Sequence, residues 1–101
     1  MSTQLLLTDA PAVDPLAEHK ATVRAAIMRD ALDHGGRISS NRVRALLDGH
    51  GIPPRLVGQV YAAMRREHLI AVAGHETSDD RKGGNGGRLI PCYVVTAAGA
   101  A

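Results

Sequence analysis

The sequence predicts a small domain of the α+β class, and three observations lead to this prediction. The 101 residues are enough for one domain, and 45% hydrophobic with 22% charged residues is typical of a globular chain. Apolar residues recur at helical spacing in three segments of the first two-thirds of the chain. Two segments rich in β-branched residues follow, and a polar stretch with many glycines separates them.

The first helix is predicted to begin near Asp14 and Pro15. Asp14 suits the N-cap because its carboxylate accepts a hydrogen bond from a free backbone N–H group, and proline suits the first helical position. The helix is expected to end at His34, because Gly35 and Gly36 readily adopt the left-handed backbone that closes a helix. Its buried stripe is predicted to consist of Leu16, Val23, Ile27 and Ala31.

A second, shorter helix is predicted after an extended segment at residues 37–39. Ser39 or Ser40 is expected to cap its start, and Gly49 is expected to end it. The side chains expected on its buried face are Val43, Leu46 and Leu47, with Arg42 and Arg44 facing outward.

A third helix is predicted from Pro54 to about His68, after a tight turn at residues 50–54. Apolar residues at i, i+3, i+4 and i+7 form its buried face, namely Val57, Val60, Tyr61 and Met64. The opposite face is expected to be polar and positively charged, with Arg55, Gln59, Ala62 and Arg66.

Residues 69–73 and 89–96 predict two strands because they are rich in isoleucine and valine. Pro91 lies inside the second strand, and because proline has no N–H group it predicts an edge strand or a bulge. Residues 78–87, between the strands, contain too many glycines and charged residues for a regular element.

The resulting order is helix, short strand, helix, turn, helix, strand, long loop and strand. This is the order of a winged helix-turn-helix, with three helices and a small antiparallel β-hairpin wing. We therefore predict a winged helix domain at residues 14–96. Residues 1–13 show no hydrophobic period and predict a flexible arm, and residues 97–101 predict a disordered tail.

Two stretches resemble the winged helix-turn-helix superfamily. Residues 41–47 (NRVRALL) are similar to its short second helix, and residues 57–70 (VGQVYAAMRREHLI) to its recognition helix and the entry into the wing. Residues 78–87 resemble the polar wing of small DNA-binding proteins encoded by phages of actinobacteria. One position departs from the pattern, because His68 stands where glycine is usual, and histidine tolerates a left-handed backbone. The resemblance implies DNA binding through Arg42, Arg44, Arg55, Gln59 and Arg66, with Arg81, Lys82 and Arg88 in the wing.

Positive charge is concentrated in the middle third of the chain. Residues 1–36 have three basic and five acidic side chains, whereas residues 37–70 have six arginines and two acidic side chains. Residues 71–101 have three of each sign. Because the planar guanidinium group matches phosphate and guanine, the arginine cluster favours a nucleic-acid partner.

We predict that the third helix reads bases in the major groove of duplex DNA. Arg55 or Arg66 would pair with guanine, and Gln59 would pair with adenine. Arg65 lies at the flank of this face, where it would contact phosphate or base.

The wing is predicted to contact the DNA backbone or minor groove. Arg81 and Lys82 stand at its tip and Arg88 at its return. Asp79 and Asp80 argue for the alternative, a surface loop without a role, because carboxylates repel phosphate.

Other functional classes have little support in the sequence. The five histidines and Cys92 lack the spacing of a metal site, so we predict no metal and no cofactor. No nucleophile motif or paired carboxylates are present, and we predict that the protein is not an enzyme. A single cysteine and the lack of an apolar run of about 20 residues lead us to expect a cytoplasmic protein without membrane contact.

Two functions remain open at this stage. The first is a regulator of transcription or a replication accessory that binds double-stranded DNA, either alone or as a homodimer. The second is a winged helix module that binds a host or partner protein. The arginine, glutamine and alanine side chains expected on the exposed face of the third helix favour DNA, whereas exposed leucine or methionine would favour a protein.

Overall fold

The computed structural model describes residues 14–79 and 86–100. These residues form an α+β domain with four helices and a three-stranded antiparallel sheet, which confirms the predicted class. None of the described helices is long and apolar enough to cross a membrane. The elements are α1 (Ala17–Asp33), β1 (Arg37–Ile38), α2 (Ser40–Leu47), α3 (Pro54–Arg66), β2 (Ile70–Thr77), β3 (Leu89–Val95) and α4 (Ala97–Ala100).

Helix α1 begins later than predicted and ends where predicted. Asp14 precedes α1 and is not the N-cap of the helix. The Asp14 carboxylate accepts hydrogen bonds from the Leu16 N–H group at 2.9 Å and from the Lys20 ammonium group at 2.7 Å. The prediction that Leu16 is buried was wrong, because it precedes the helix and is 39% exposed. The rest of the predicted stripe, Val23, Ile27 and Ala31, is buried as expected.

Helix α2 is capped by Ser39, whose hydroxyl accepts the Arg42 N–H group at 3.3 Å. Val43 and Leu47 are buried, but the prediction for Leu46 was wrong, since 46% of it is exposed. A helix of eight residues has only two turns, so Val43 and Leu47, four residues apart, already fill its inner side.

Helix α3 buries Leu56, Val60, Tyr61 and Met64, whereas Val57 is only partly buried. The face of the helix that points inward is thus rotated slightly from the predicted one. The helix ends at Arg66 because His68 takes a left-handed backbone with φ of 61°, as the sequence allowed.

The sheet has the order β1-β3-β2, and β2 is longer than predicted. β3 is the middle strand, but β1 pairs only with its residues Tyr93 and Val94. Pro91 pairs with His75 of β2 and lies beyond the end of β1, so the N–H group that proline lacks is not needed for pairing with β1. A bulge is present, but it lies in β2, between Val72 and Gly74.

The core lies between α1, α3 and the sheet. The rings of Tyr61 and Tyr93 stack in it with their centroids 4.6 Å apart, which joins α3 to β3. Residues 97–100 form a short helix, where a disordered tail was expected, and a β-carbon on Gly99 would collide with the carbonyl oxygen of Leu69. The buried apolar residues of the core are Val23, Ile27, Ala31, Ile38, Val43, Leu47, Val60, Tyr61, Met64, Ile70 and Tyr93.

The different burial of Leu46 and Leu47 gives a matched test of this packing. Leu47→Ala is expected to lower the free energy of unfolding by about 2–4 kcal/mol, because it opens a cavity in the core. Leu46→Ala is expected to change it by less than about 1 kcal/mol, since the side chain is half exposed. Urea unfolding followed by circular dichroism measures both values, and equal losses would contradict the described orientation of α2.

Candidate nucleic-acid interface

The exposed face of α3 carries four of the predicted site residues. Arg55, Gln59, Arg65 and Arg66 are all exposed, while the opposite face packs into the core. None of the four side chains forms a hydrogen bond or salt bridge with another described residue. The helix contains three arginines and no acidic residue, so this face presents positive charge that no described residue neutralises.

The middle of this face is formed by two small residues, Gly58 and Ala62. A β-carbon at Gly58 would meet no neighbouring group within 4 Å among the described residues, so the fold does not require a glycine here. Glycine in a helix interior costs about 1 kcal/mol relative to alanine. The result is a shallow surface that arginines border, which lets a partner approach the helix backbone. Ala62 was predicted on this face, but Gly58 was not, although a glycine in the interior of a helix is visible in the sequence.

Arg42 does not belong to this face. Its Nε atom donates to Oδ1 of Asp30 at 2.8 Å, and only 2% of Asp30 is exposed. The second carboxylate oxygen accepts the Ser39 N–H group at 2.8 Å, and His34 Nδ1 lies 3.3 Å from the first. The hydrogen bond to Asp30 raises the pKa of the Arg42 guanidinium group. Arg42 therefore joins α2 to α1, which its spacing from Asp30 did not reveal.

Arg44 lies at the base of the β2–β3 hairpin. Its guanidinium group donates to the Asp79 carboxylate at 2.5 Å and to Asn41 Oδ1 at 3.2 Å, and it lies 3.5 Å from the Ser78 hydroxyl. Asp79 is largely exposed, so this salt bridge is weak in water. Arg44 thus remains close to the α3 side of the domain, but part of its charge is balanced by the hairpin.

The hairpin is attached to α2 by side chains that sequence reasoning missed. Glu76 accepts hydrogen bonds from the Ser39 hydroxyl at 2.8 and 2.9 Å and from the Asn41 N–H group at 3.3 Å. The Asn41 amide donates to the Thr77 carbonyl at 2.9 Å and accepts the Asp79 N–H group at 3.1 Å. We call these five residues the α2–hairpin clamp. The two clamp residues at the start of α2 lie more than thirty residues in sequence from the three in the hairpin, so no local spacing indicates the clamp.

The predicted wing residues are placed only in part. The Ser78 N–H group donates to the Arg88 carbonyl at 2.7 Å, and the Gly87 N–H group donates to the Ser78 carbonyl at 2.9 Å. Arg88 is exposed beside this closure. Arg81 and Lys82 lie outside the described residues, so their contacts with DNA stay a prediction.

Two grooves border α3. The α2–α3 groove has a volume of about 710 Å³ and includes Leu47, Ile52, Val57 and the Tyr61 ring, with Arg44 and Arg65 among its lining residues. Burial raises the pKa of the Tyr61 hydroxyl, which stays protonated at neutral pH.

The second groove, between α1 and α3, has a volume of about 510 Å³. Lys20 and Arg24 of α1 face Gln59 and Arg66 of α3 across it. Arg24 also forms a salt bridge with Glu67 at 3.2 Å, so the acidic residue that follows α3 is balanced by α1. Lys20 and Arg24 are both paired with carboxylates, those of Asp14 and Glu67, so the first half of α1 adds little positive charge to the α3 face.

Within residues 14–79 and 86–100, no group of three or more histidine, cysteine or acidic side chains is arranged to hold a metal ion. Comparison with protein-family models, with curated proteins and with solved structures found no match for this chain. The function must therefore be argued from the geometry of α3 and its neighbours.

Asp30 and Asp33 provide a matched pair for testing the role of Arg42. Asp30→Ala is expected to lower the free energy of unfolding by about 2–4 kcal/mol, because it leaves the Ser39 N–H group and the Arg42 guanidinium group without their partner. Asp33→Ala removes an exposed salt bridge to Arg29 and should cost less than about 1 kcal/mol. Thermal and urea unfolding give both values, and a cost for Asp33→Ala as large as that for Asp30→Ala would refute a special role of the buried carboxylate.

Proposed function

We propose that the protein is a winged helix-turn-helix protein that binds duplex DNA and inserts α3 into the major groove. The fold assignment rests on the order α1, β1, α2, α3, β2, β3 and on the pairing of β1 with the second strand of the hairpin. In such a domain α2 and α3 form the helix-turn-helix, and the β2–β3 hairpin is the wing.

The observation that carries the proposal is the composition of the exposed face of α3. An α-helix with its side chains is about 10–12 Å in diameter and the major groove is about 12 Å wide, so α3, with 13 residues, fits within the groove. Gly58 and Ala62 allow the helix backbone to approach the base edges. Arg55 and Arg66 are then in a position to pair with guanine, and Gln59 with adenine.

The remaining basic residues divide into two roles. Arg65, at the flank of α3, and Arg44, at the base of the hairpin, both line the α2–α3 groove and suit contacts with phosphate. Arg88 lies at the return of the hairpin, where the proposed wing would reach the adjacent backbone. Arg42 has a structural role through Asp30, so we no longer propose it as a direct DNA contact.

A second candidate, a module that binds a protein partner, is favoured by the apolar lining of the α2–α3 groove. Leu47, Ile52 and Val57 in that groove suit the side chains of a docked peptide. We favour DNA because the arginines on the adjoining face of α3 have no salt-bridge partner among the described residues. Such a face suits phosphate and guanine better than it suits an apolar partner.

Binding to duplex DNA tests the proposal directly. We expect affinity in the nanomolar-to-micromolar range for duplexes selected from a random pool, with a steep decrease as salt rises because phosphate contacts release counterions.

Arg55→Ala, Gln59→Ala and Arg66→Ala should each weaken binding to the selected site by about 1–3 kcal/mol. Arg37→Ala, an exposed arginine of β1 that lines neither groove, is the matched control and should change binding little. Fluorescence anisotropy at two salt concentrations measures these effects, and the lack of binding to any duplex at low salt would favour the protein-binding candidate.

Gly58 separates the requirements of folding from those of binding. Gly58→Ala is expected to raise the free energy of unfolding by about 0.5–1 kcal/mol, because alanine is the better helix former and the space is open. Gly58→Leu should fold as well as the parent but should weaken DNA binding by about tenfold or more, since the larger side chain holds α3 away from the bases. Thermal unfolding and anisotropy on the same samples test both statements. Full affinity in Gly58→Leu would remove this face of α3 from the interface.

A further inference from the structure

Helix α1 has an apolar stripe on the side turned away from its buried residues, although Met28 at its edge packs against the core. Ala21, Ala25, Met28 and Leu32 follow one another at intervals of four, three and four residues, which places them on one face of the helix. Ala21 and Ala25 are exposed and Met28 is partly buried. Leu32 is 79% exposed, more than any other large hydrophobic residue that the structure describes. We call these four residues the α1 stripe.

Two opposite charges flank the α1 stripe on one side. Glu18 lies near its N-terminal end and Arg29 lies 11 residues later, which is three helical turns and therefore on the same side. The Glu18 carboxylate forms no hydrogen bond or salt bridge with another described residue. Arg29 uses its Nε atom to contact Asp33 at 2.9 Å, and 68% of its side chain is exposed.

The charges of two α1 helices complement each other when the helices run in opposite directions. In an antiparallel pair related by a two-fold axis, each side of the stripe meets the same side of the other helix in reverse order. Glu18 of each copy then lies beside Arg29 of the other, and two salt bridges form. In a parallel two-fold pair this flank would instead meet the opposite flank of the other helix, so Glu18 and Arg29 would not pair with each other.

The size of the apolar side chains fits the same arrangement. The point midway between Glu18 and Arg29 lies close to Ala21 and Ala25, and small residues at a crossing point let two helices approach closely. Leu32 extends past the crossing towards the start of the other helix. Leu32, which is 79% exposed in one copy, would there be covered by the other copy.

We propose that the protein forms a two-fold symmetric dimer in which α1 of one copy packs antiparallel on α1 of a second copy through the α1 stripe. The occupant of this surface is thus another molecule of the same chain. The helix has 17 residues and is about 25 Å long, and one helix pair of this size makes a small interface, so we expect a dissociation constant of about micromolar magnitude. Ala21 also lines the α1–α3 groove, but the proposal is tested by self-association of the protein alone and so does not depend on DNA binding.

The oligomeric state of the full chain tests the dimer. Sedimentation equilibrium over about 1–200 µM, a range that spans the expected dissociation constant, should show a monomer that converts to a dimer as concentration rises. Leu32→Glu should remain a monomer over the whole range. Leu89→Glu changes another leucine that is 73% exposed but lies in β3, and it should dimerise like the parent chain. A parent chain that stays monomeric at all concentrations would overturn the proposal.

Charge exchange tests the antiparallel arrangement. Glu18→Arg and Arg29→Glu should each weaken the dimer by about tenfold, because each places like charges next to one another. The double variant with both changes restores the opposite pairs and should recover most of the affinity. Circular dichroism melting should show all three variants folded. Failure of the double variant to recover, with its melting temperature unchanged, would contradict the antiparallel pair. If the parent chain is a monomer and Leu32→Glu lowers its melting temperature, Leu32 is covered by residues 1–13 of the same chain. That result would also overturn the dimer.

Discussion

The position of α2 depends on two carboxylates that bind its N-terminal turn. Asp30 of α1 accepts the Ser39 N–H group and the Arg42 guanidinium group, and Glu76 of β2 accepts the Ser39 hydroxyl and the Asn41 N–H group. The first of these carboxylates is almost fully buried, and a buried charge is costly unless it is paired and hydrogen-bonded. Because the carboxylates come from α1 and β2 and their four partners all lie at the N-terminal end of α2, both carboxylates are satisfied only when α1, α2 and the hairpin take the arrangement that is observed.

Arginines that look alike in the sequence have two different roles in this structure. Arg42 and Arg44 are used within the fold, where they hold α2 against α1 and against the hairpin. The arginines of α3 form no salt bridge with a described residue, since the α3 segment contains no acidic residue and Glu67 is paired with Arg24. The domain thus balances its charges along α2 and leaves the surface of α3 positive. A partner with regular negative charge, such as duplex DNA, suits this division better than an apolar partner does.

Much of the fold could be predicted from local patterns, and the exceptions have physical reasons. Helical spacing identified α1 and the glycines placed its end correctly, although its start was predicted too early. The left-handed backbone of His68 was anticipated from its position. The two turns of α2 are too short for periodicity to choose between Leu46 and Leu47. β2 continues past Gly74 because pairing with β3 outweighs the glycine, and composition alone gives no sign of that pairing. The role of Arg42 was missed because its partner Asp30 lies on another helix, 12 residues away in the sequence.

The central claim is that the exposed face of α3 contacts DNA. The most direct measurement is a titration of isotope-labelled protein with a duplex, followed through the backbone amide resonances in heteronuclear NMR spectra. The account predicts that the largest shifts occur along α3, from Arg55 to Arg66, with smaller shifts at the base of the hairpin. The C-terminal half of α1 should change little. Shifts that leave α3 unaffected, or that are confined to the apolar part of the α2–α3 groove, would contradict the account.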